Sequence, residues 1–500
     1  MNWVSNVAQG FGPALLALTL FSACSATPLT PSSPSRPARP ARPAFPALVH
    51  DLDAILDDPV LARGTWGVVV RSAKTGETLY ERNPQKLLLP ASNMKVVTLA
   101  AAAERLGWDY TYETRLYAGG TIQNGTLEGD LVVAGSGDPS VGGRDLDAWA
   151  DQLKQTGIRT IAGAVVGDDR AFETETLGFG WSWDDLPDDY AAGVGALQFN
   201  ESAVRVTIAP GPAAGSMAAV EASPPGGLTI DSEIVTGAAE STPSIAALRL
   251  PGRNTLTLRG SIPAGARPVT RDVSVDNPSR FFVQSLRRAL IAHGIDVRGA
   301  AVEVGDIDEI QRPPAPTGRP LVTHRSAPLS ALAVRLMKVS QNQYAETFLK
   351  TLGAAPGRPA SASGGRAAVL SIVGRWGVES GELIQRDGSG LSRYDFVSAR
   401  ALAAILLHIH RDERLREPFV ASLPVPGDGT LSNRLKGTAA EGKLAAKTGS
   451  MTGVRTLSGY VTTDDDTLAF AILANNFETG ADVVNKATDA IVVRLVDTRR

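Results

Sequence analysis

The stretch "KLAAKTGSMTG", residues 443–453, reads as a strand running into a turn, and the arrangement of the whole chain depends on whether its Lys447-Thr448-Gly449 carries chemistry. The same tripeptide occurs at Lys74-Thr75-Gly76, within "VVVRSAKTGETLYE". Three residues say little by themselves, but the flanks separate the two copies. Around the first, "TWGVVVRS" and "ETLYERN" read as two strands joined by "AKTG". That places Lys74-Thr75-Gly76 in a hairpin turn, where glycine is favoured for backbone reasons alone. "LAAKTGS" reads as strand interior. Alternation there sends the Lys447 and Thr448 side chains to opposite faces, and Gly449 lets a substrate backbone lie close to the strand.

Working outward, "VRTLSGYVTTDDDTLAFAILANN" predicts two strands around an Asp-rich turn, followed by a helix with Val484, Ala487, Ile491 and Leu495 on one side. Together with the N-terminal hairpin these strands form one antiparallel sheet with helices packed on it. Helices are expected at 48–58, 365–376 and 397–409, and at two motif-bearing stretches. One is "PASNMKVVTLAAAAERLG", with Leu99, Ala103 and Leu106 on a face and Gly107 as the stop; the other is "PLSALAVRLMKVSQNQYAETFLKTLG", where Leu332, Leu336 and Val339 share a face. Between about residues 110 and 316 the texture changes. Runs such as "GDLVVAGSG", "AGAVVGDD", "SAVRVTIAPG" and "NTLTLRGSI" alternate with Gly/Pro/Asp turns, and one clear helix, "PSRFFVQSLRRALIAHG", interrupts them. The expected class is α/β (α+β), an antiparallel sheet flanked by helices. The main domain is discontinuous, 48–115 and 315–500, and a mostly β insert at 116–314 has room for one or two extra domains.

Composition excludes several function classes. Of 500 residues, 43% are hydrophobic and 20% charged, so the chain is neither disordered nor unusually polar. Fifty-two acidic against 49 basic side chains give no global field for nucleic acid. Five histidines make a His base or a multi-His metal site unpromising, and one cysteine excludes an intramolecular disulfide and a Cys-based zinc site. That cysteine, Cys24, closes the apolar run "PALLALTLFSA" at 13–23, which is shorter than the roughly 20 residues of a spanning helix and suits the h-region of a signal peptide at 1–24. "FSAC" resembles a bacterial lipobox, in which Cys24 would be lipidated. It departs from that pattern in having no Lys or Arg before the h-region and Phe21 where Leu is commoner. The alternative is a soluble secreted protein cut near Ala26. Either way the protein is exported, to the periplasm or cell envelope, and touches a membrane only through such an anchor. Residues 25–47 are a Pro-rich linker, an extended and semi-rigid spacer.

Two further motifs precede Lys447 in the chain. Ser92-Asn93-Met94-Lys95 is an SxxK opening a helix, and its spacing puts hydroxyl and amine on one face within reach. A desolvated lysine of lowered pKa can take a seryl proton in place of histidine, and the helix N-terminus favours developing negative charge. Ser340-Gln341-Asn342 is an SxN where one helix ends and another begins, offering a hydroxyl for proton relay and an amide for substrate. Alone, an SxxK is more often an N-capping serine before a surface lysine. The ordered set of SxxK, SxN and strand-borne KTG is specific.

This set resembles the penicillin-binding protein and serine β-lactamase superfamily, and more narrowly the class C low-molecular-mass D-alanyl-D-alanine carboxypeptidase/endopeptidases. "PASNMK", "GSGDPS" (135–140), "GWSWDDLPDDYAAGVGALQFNES" (180–202), "DGSGLSR" (387–393) and "AAKTGS" look like signatures of that class, as does the gap of 248 positions from Ser92 to Ser340. The resemblance covers the chain from about residue 50 to the end. It implies the following roles: Ser92 as nucleophile, Lys95 as its base, Ser340 as proton shuttle, Asn342 on the substrate amide, Lys447 and Thr448 on the terminal carboxylate, with Gly449 and Ser450 among the substrate-binding residues. The backbone N–H groups of Ser92 and Ser450 would make the oxyanion hole. It further implies a side-chain pocket built from Asp185, or the adjacent Asp184, and Arg393. Peptidoglycan stem peptides are then the substrates and β-lactams the inhibitors, and no cofactor is implied. A β-lactamase or esterase of the same superfamily is the nearest alternative, opposed by the large insert and by "DGSGLSR". A non-catalytic wall-binding protein is the other, opposed by the retention of every catalytic residue.

Overall fold

A computed structural model describes residues 45–499. Cys24, the signal peptide and the linker up to residue 44 lie outside the described residues. Among the described residues, no helix is long and apolar enough to cross a membrane.

The sheet that carries the site joins the two ends of the chain. Strands β1 (Thr65–Ser72) and β2 (Thr78–Arg82) form the N-terminal hairpin, and β3 (Leu444–Met451), β4 (Val454–Thr462) and β5 (Thr467–Asn475) follow one another near the C-terminus. Their order is β3-β4-β5-β1-β2, all antiparallel. Strands β1 and β5 lie in the middle and read as near-continuous apolar runs because both faces are covered. On one face Val68, Val70, Phe470 and Ile472 pack with Leu48 and Leu52 of helix α1 (Pro46–Leu56) and with the C-terminal helix (Ala481–Val496). On the other, Val69, Ala471 and Leu473 meet α2 (Met94–Leu106), α3 (Leu329–Lys338), α4 (Asn342–Leu352) and α5 (Ala399–Arg411).

Helix α2 departs from the one-faced amphipathic pattern: every residue from Met94 to Ala103 is buried. Its run of alanines lets sheet and helices close on all sides, which makes it a central helix and places Lys95 inside the protein. The stretch 328–353 divides into α3 and α4 at a break whose Ser340 has φ +64°. Val339 lies past the end of α3 and is 48% exposed, so it does not share the buried face of Leu332 and Leu336.

The stretch between α2 and α3 holds a seven-stranded sheet that begins at Glu113 and takes in Val322–Arg325, together with two three-stranded sheets. It has two α-helices where the sequence pattern indicated one. Pro278–Ala292 is the expected helix; Gly143–Gln155 is the other. The second buries only Leu146, Trp149, Ala150 and Leu153, and its start is fixed by Asp145 reaching back to the Gly142 N–H at 2.8 Å rather than by a Ser or Thr cap. Trp149 then packs on Phe282, which joins the two helices over the sheet.

Candidate active site

Ser92 sits in a single 3₁₀ turn, Ala91–Asn93, that runs directly into α2. The turn is seated on the sheet by Thr456 of β4, whose hydroxyl donates to the Pro90 carbonyl at 2.8 Å, and by Ser458, which donates to Asn93. This seating explains Gly449. A Cβ there would lie 2.1 Å from Thr456 Oγ1 and 2.8 Å from the Pro90 carbonyl oxygen, so the need for glycine arises from the SxxK turn packed against β3.

One turn into the protein, Lys95 Nζ is 3.0 Å from Ser92 Oγ, 2.6 Å from Asn342 Oδ1 and 2.8 Å from the Ser389 carbonyl oxygen. Burial pulls its pKa down to about 7, against the opposing fields of Asp387, Glu346 and Asp395. A neutral amine has two N–H donors and one lone pair. Asn342 Oδ1 and the Ser389 carbonyl can only accept, so they take both donors. The lone pair is left facing the Ser92 hydroxyl, which is the geometry of a general base. The orientation of Asn342 is itself fixed, since its Nδ2 donates to the Tyr190 carbonyl at 2.8 Å.

The "DGSGLSR" segment holds the third partner in place. Asp387 accepts from the N–H groups of Gly390 and Ser392, both at 2.7 Å, and from Trp181 Nε1 at 2.8 Å. Glu346 of α4 accepts from Gly388 and Ser389 at 2.9 and 2.8 Å. With its N–H groups bound on one side, the loop presents the Ser389 carbonyl to Lys95. Gly390 has φ +84°, and a Cβ there would sit 1.8 Å from the Ala91 carbonyl oxygen, so the loop packs directly on the nucleophile turn. Burial and the neighbouring Asp387 push the Glu346 and Asp395 carboxyls up.

Lys447 is fully buried, its Nζ donating to Ser340 Oγ and to the Thr448 carbonyl, each at 2.9 Å. Burial, and then Lys95, hold its pKa well below the ordinary lysine range. Alternation along β3 buries Lys447 and leaves Thr448 half-exposed in the cleft wall. Lys447 meets the cleft through Ser340, which lines it and accepts from the Lys447 amine.

The cleft of about 900 Å³ is lined by Ser92, Ser340, Asn342, Thr448 and Ser450, and also by Asp185 and Arg393. Of the two adjacent acids Asp185 lines it, accepting from Tyr190 Oη at 2.9 Å, while Asp184 accepts from Ser182. Arg393 donates to the Thr452 carbonyl at 3.4 Å. Trp181, Trp183, Tyr190, Tyr394 and Thr430 also line it and were not singled out from sequence. The two tryptophans and Tyr190 lie inside "GWSWDDLPDDY", and that density of aromatics between acids was the available signal.

A hydroxyl one helical turn from a buried lysine, facing a strand-borne second lysine across a helix break, defines a serine acyl-transfer enzyme of the penicillin-binding kind. The comparisons narrow this. The chain belongs to the D-Ala-D-Ala carboxypeptidase 3 (S13) family, which it matches over residues 48–498. It is 37% identical to a D-alanyl-D-alanine carboxypeptidase of Actinomadura sp. (strain R39) over 463 residues, 90% of this chain and 84% of that one. The crystal structure of penicillin binding protein 4 from Haemophilus influenzae superposes with a TM-score of 0.77 at 26% identity, covering 89% of this chain and 97% of that one. The same protein complexed with a β-lactam superposes with a TM-score of 0.72 at 24% identity, covering 90% and 99%.

Proposed function

We propose that this protein is an exported serine-type D-alanyl-D-alanine carboxypeptidase/endopeptidase that cleaves peptidoglycan stem peptides and cross-links through a Ser92 acyl-enzyme. The observation that carries this reading is the Lys95 amine, whose two N–H groups are taken by Asn342 and Ser389 while its lone pair faces Ser92. Ser92 attacks the penultimate D-alanine carbonyl as Lys95 accepts its proton, and the N–H groups of Ser92 and Ser450 hold the oxyanion. Ser340, bonded to Lys447, passes a proton to the departing amine; Lys447 and Thr448 hold the terminal carboxylate. Water then releases the acyl group by the same route in reverse. The purified protein incubated with muropeptides should remove terminal D-alanine or open D-alanyl cross-links, read by mass spectrometry. Rapid turnover of a β-lactam with muropeptides left intact would mean a β-lactamase instead.

Residues 48–115 and 315–500 form the catalytic domain in this reading, apart from the paired ends Glu113–Leu116 and Val322–Arg325, which belong to the insert's sheet, and the insert at 116–314 recognises the stem peptide. Asp185 pairs with an amine on its third residue, and Arg393 answers a carboxylate on the same side chain. Such contacts lie away from the scissile bond, so they lower the barrier only for peptides carrying those groups. Asp185→Ala should cut kcat/KM by roughly 10- to 100-fold for a peptide with that amine, the range for an unpaired charged partner. Acylation by a simple penicillin should barely change. Equal slowing of amino and amine-free peptides would make Asp185 structural.

The N-terminal reading is a cleaved signal, lipidation at Cys24 and a Pro-rich spacer that stands the enzyme off the membrane. Cys24→Ala should move the protein from the membrane fraction to the soluble one with activity intact. A parent protein already soluble after export would favour cleavage near Ala26.

A further inference from the structure

We propose that Glu201 is a positioning residue, holding Ser340 in place to deliver a proton to the leaving group; this rests on the shuttle role given to Ser340 above. Asn200, Glu201 and Ser202 have φ values of +52°, +54° and +52°, one turn of left-handed helix built without glycine. That conformation is disfavoured for every L-residue, and a run of three persists only where its surroundings over-determine it. Asn200 donates back to the Ala203 carbonyl at 2.7 Å, while Glu201 and Ser202 direct their side chains at one place. The Glu201 carboxylate takes a two-pronged bond from Arg335 in the last turn of α3, at 2.8 and 2.9 Å. It also accepts from Gln341 Nε2 at 2.7 Å, the residue next to Ser340. Ser202 Oγ accepts from Gln343 Nε2 at 2.6 Å, in the first turn of α4. Both banks of the helix break are therefore gripped from the inserted segment.

Ser340 needs that grip. It is itself left-handed, with φ +64°, and among the described residues its hydroxyl is held by Lys447. Without Glu201, Arg335 and Gln341 lose their common acceptor, and the bank of the break that carries Ser340 loses its tie to the inserted segment, which lets the hydroxyl turn away from the cleft while Asn342 and Gln343 stay held. A carboxylate suits the position because it accepts only. An amide would point an N–H at Arg335 or at Gln341.

The leaving group supplies the test. An amine departs only when protonated, whereas a thiolate leaves without a proton. Two substrates with the same acyl part, one a D-alanine amide and one a thioester, would be compared in the parent protein and in Glu201→Ala, Glu201→Gln and Ser340→Ala. Glu201→Ala should lower kcat/KM for the amide by about 10- to 100-fold, the scale of a misplaced group. The loss should fall on kcat, with thioester acylation nearly unchanged, Glu201→Gln affected in the same direction, and Glu201→Asp recovering part of the rate. Should Glu201→Ala fail to fold, Gln341→Ala removes one of the same bonds and should discriminate in the same sense, more weakly. Equal slowing of both substrates, or of neither, overturns the proposal. If Ser340→Ala itself does not discriminate, the shuttle reading falls and this inference with it; if Ser340→Ala discriminates and the Glu201 variants do not, only this inference falls.

Discussion

Replacing Ser92 with alanine is expected to abolish covalent labelling by penicillin and to lower D-alanine release by a factor on the order of 10⁶, as for other activated serine nucleophiles. Proteolytic mapping of the labelled parent should place the adduct on the peptide containing Ser92. A label on Ser389 or Ser136 would sink the assignment. Ser389 is the instructive control, because it is buried and close by, but its hydroxyl is turned to Asp387 at 3.3 Å and its carbonyl already accepts from Lys95. The pH profile of acylation tests the base independently. In the proposed mechanism Lys95 acts in its neutral form, and its pKa is drawn down to about 7. Acylation should therefore climb as pH rises through about 7 and level off above it. A rate already flat at lower pH would remove Lys95 from the role of base.

Much of this site was legible because its chemistry sits in short, ordered motifs on regular elements. SxxK opens a helix, SxN falls in a helix break and KTG lies in a strand, and each fixes its own geometry within a few residues. What escaped depends on partners far away in the chain. Glu201 meets Arg335 and Gln341 across 134 and 140 positions, and a left-handed turn without glycine leaves no compositional mark. Glu346 reads as an ordinary polar residue of an amphipathic helix, yet it is buried with its carboxylate on the loop that aims the Ser389 carbonyl. Gly449 was legible as a close approach, but its partner is the nucleophile turn. The fold was readable for a related reason. Strands β1 and β5 are apolar on both faces, so they had to be central, and only joining the chain ends provides enough strands to cover them.

Lys447→Ala and Lys74→Ala should differ by about three orders of magnitude in D-alanine release, although each removes the lysine of a Lys-Thr-Gly. Lys74 lies in the β1–β2 turn, exposed, its backbone N–H donating to Asp466 Oδ1 at 3.2 Å. That turn is held by Thr75 N–H on Ser72 Oγ at 3.0 Å and by Arg71 on the Gly76 carbonyl at 2.9 Å, neither of which uses the Lys74 side chain. Its loss should leave the rate unchanged. Lys447 has no exposed surface and holds Ser340 at 2.9 Å, so in the proposed mechanism its loss removes the amine that answers the substrate carboxylate and the anchor of the Ser340 hydroxyl. A factor on the order of 10³ is the scale for deleting one such preorganised group. Stability should move the other way from rate. Two lysines buried side by side repel and are poorly solvated, and burial and Lys95 together hold Lys447 well below its ordinary pKa. Removing it relieves that strain, so the melting temperature of Lys447→Ala should equal or exceed that of the parent while activity collapses. Equal losses of rate in the two variants would mean that neither copy is catalytic. A Lys447→Ala protein that lost rate only in proportion to lost folding would show that the buried amine supports the fold and not the reaction.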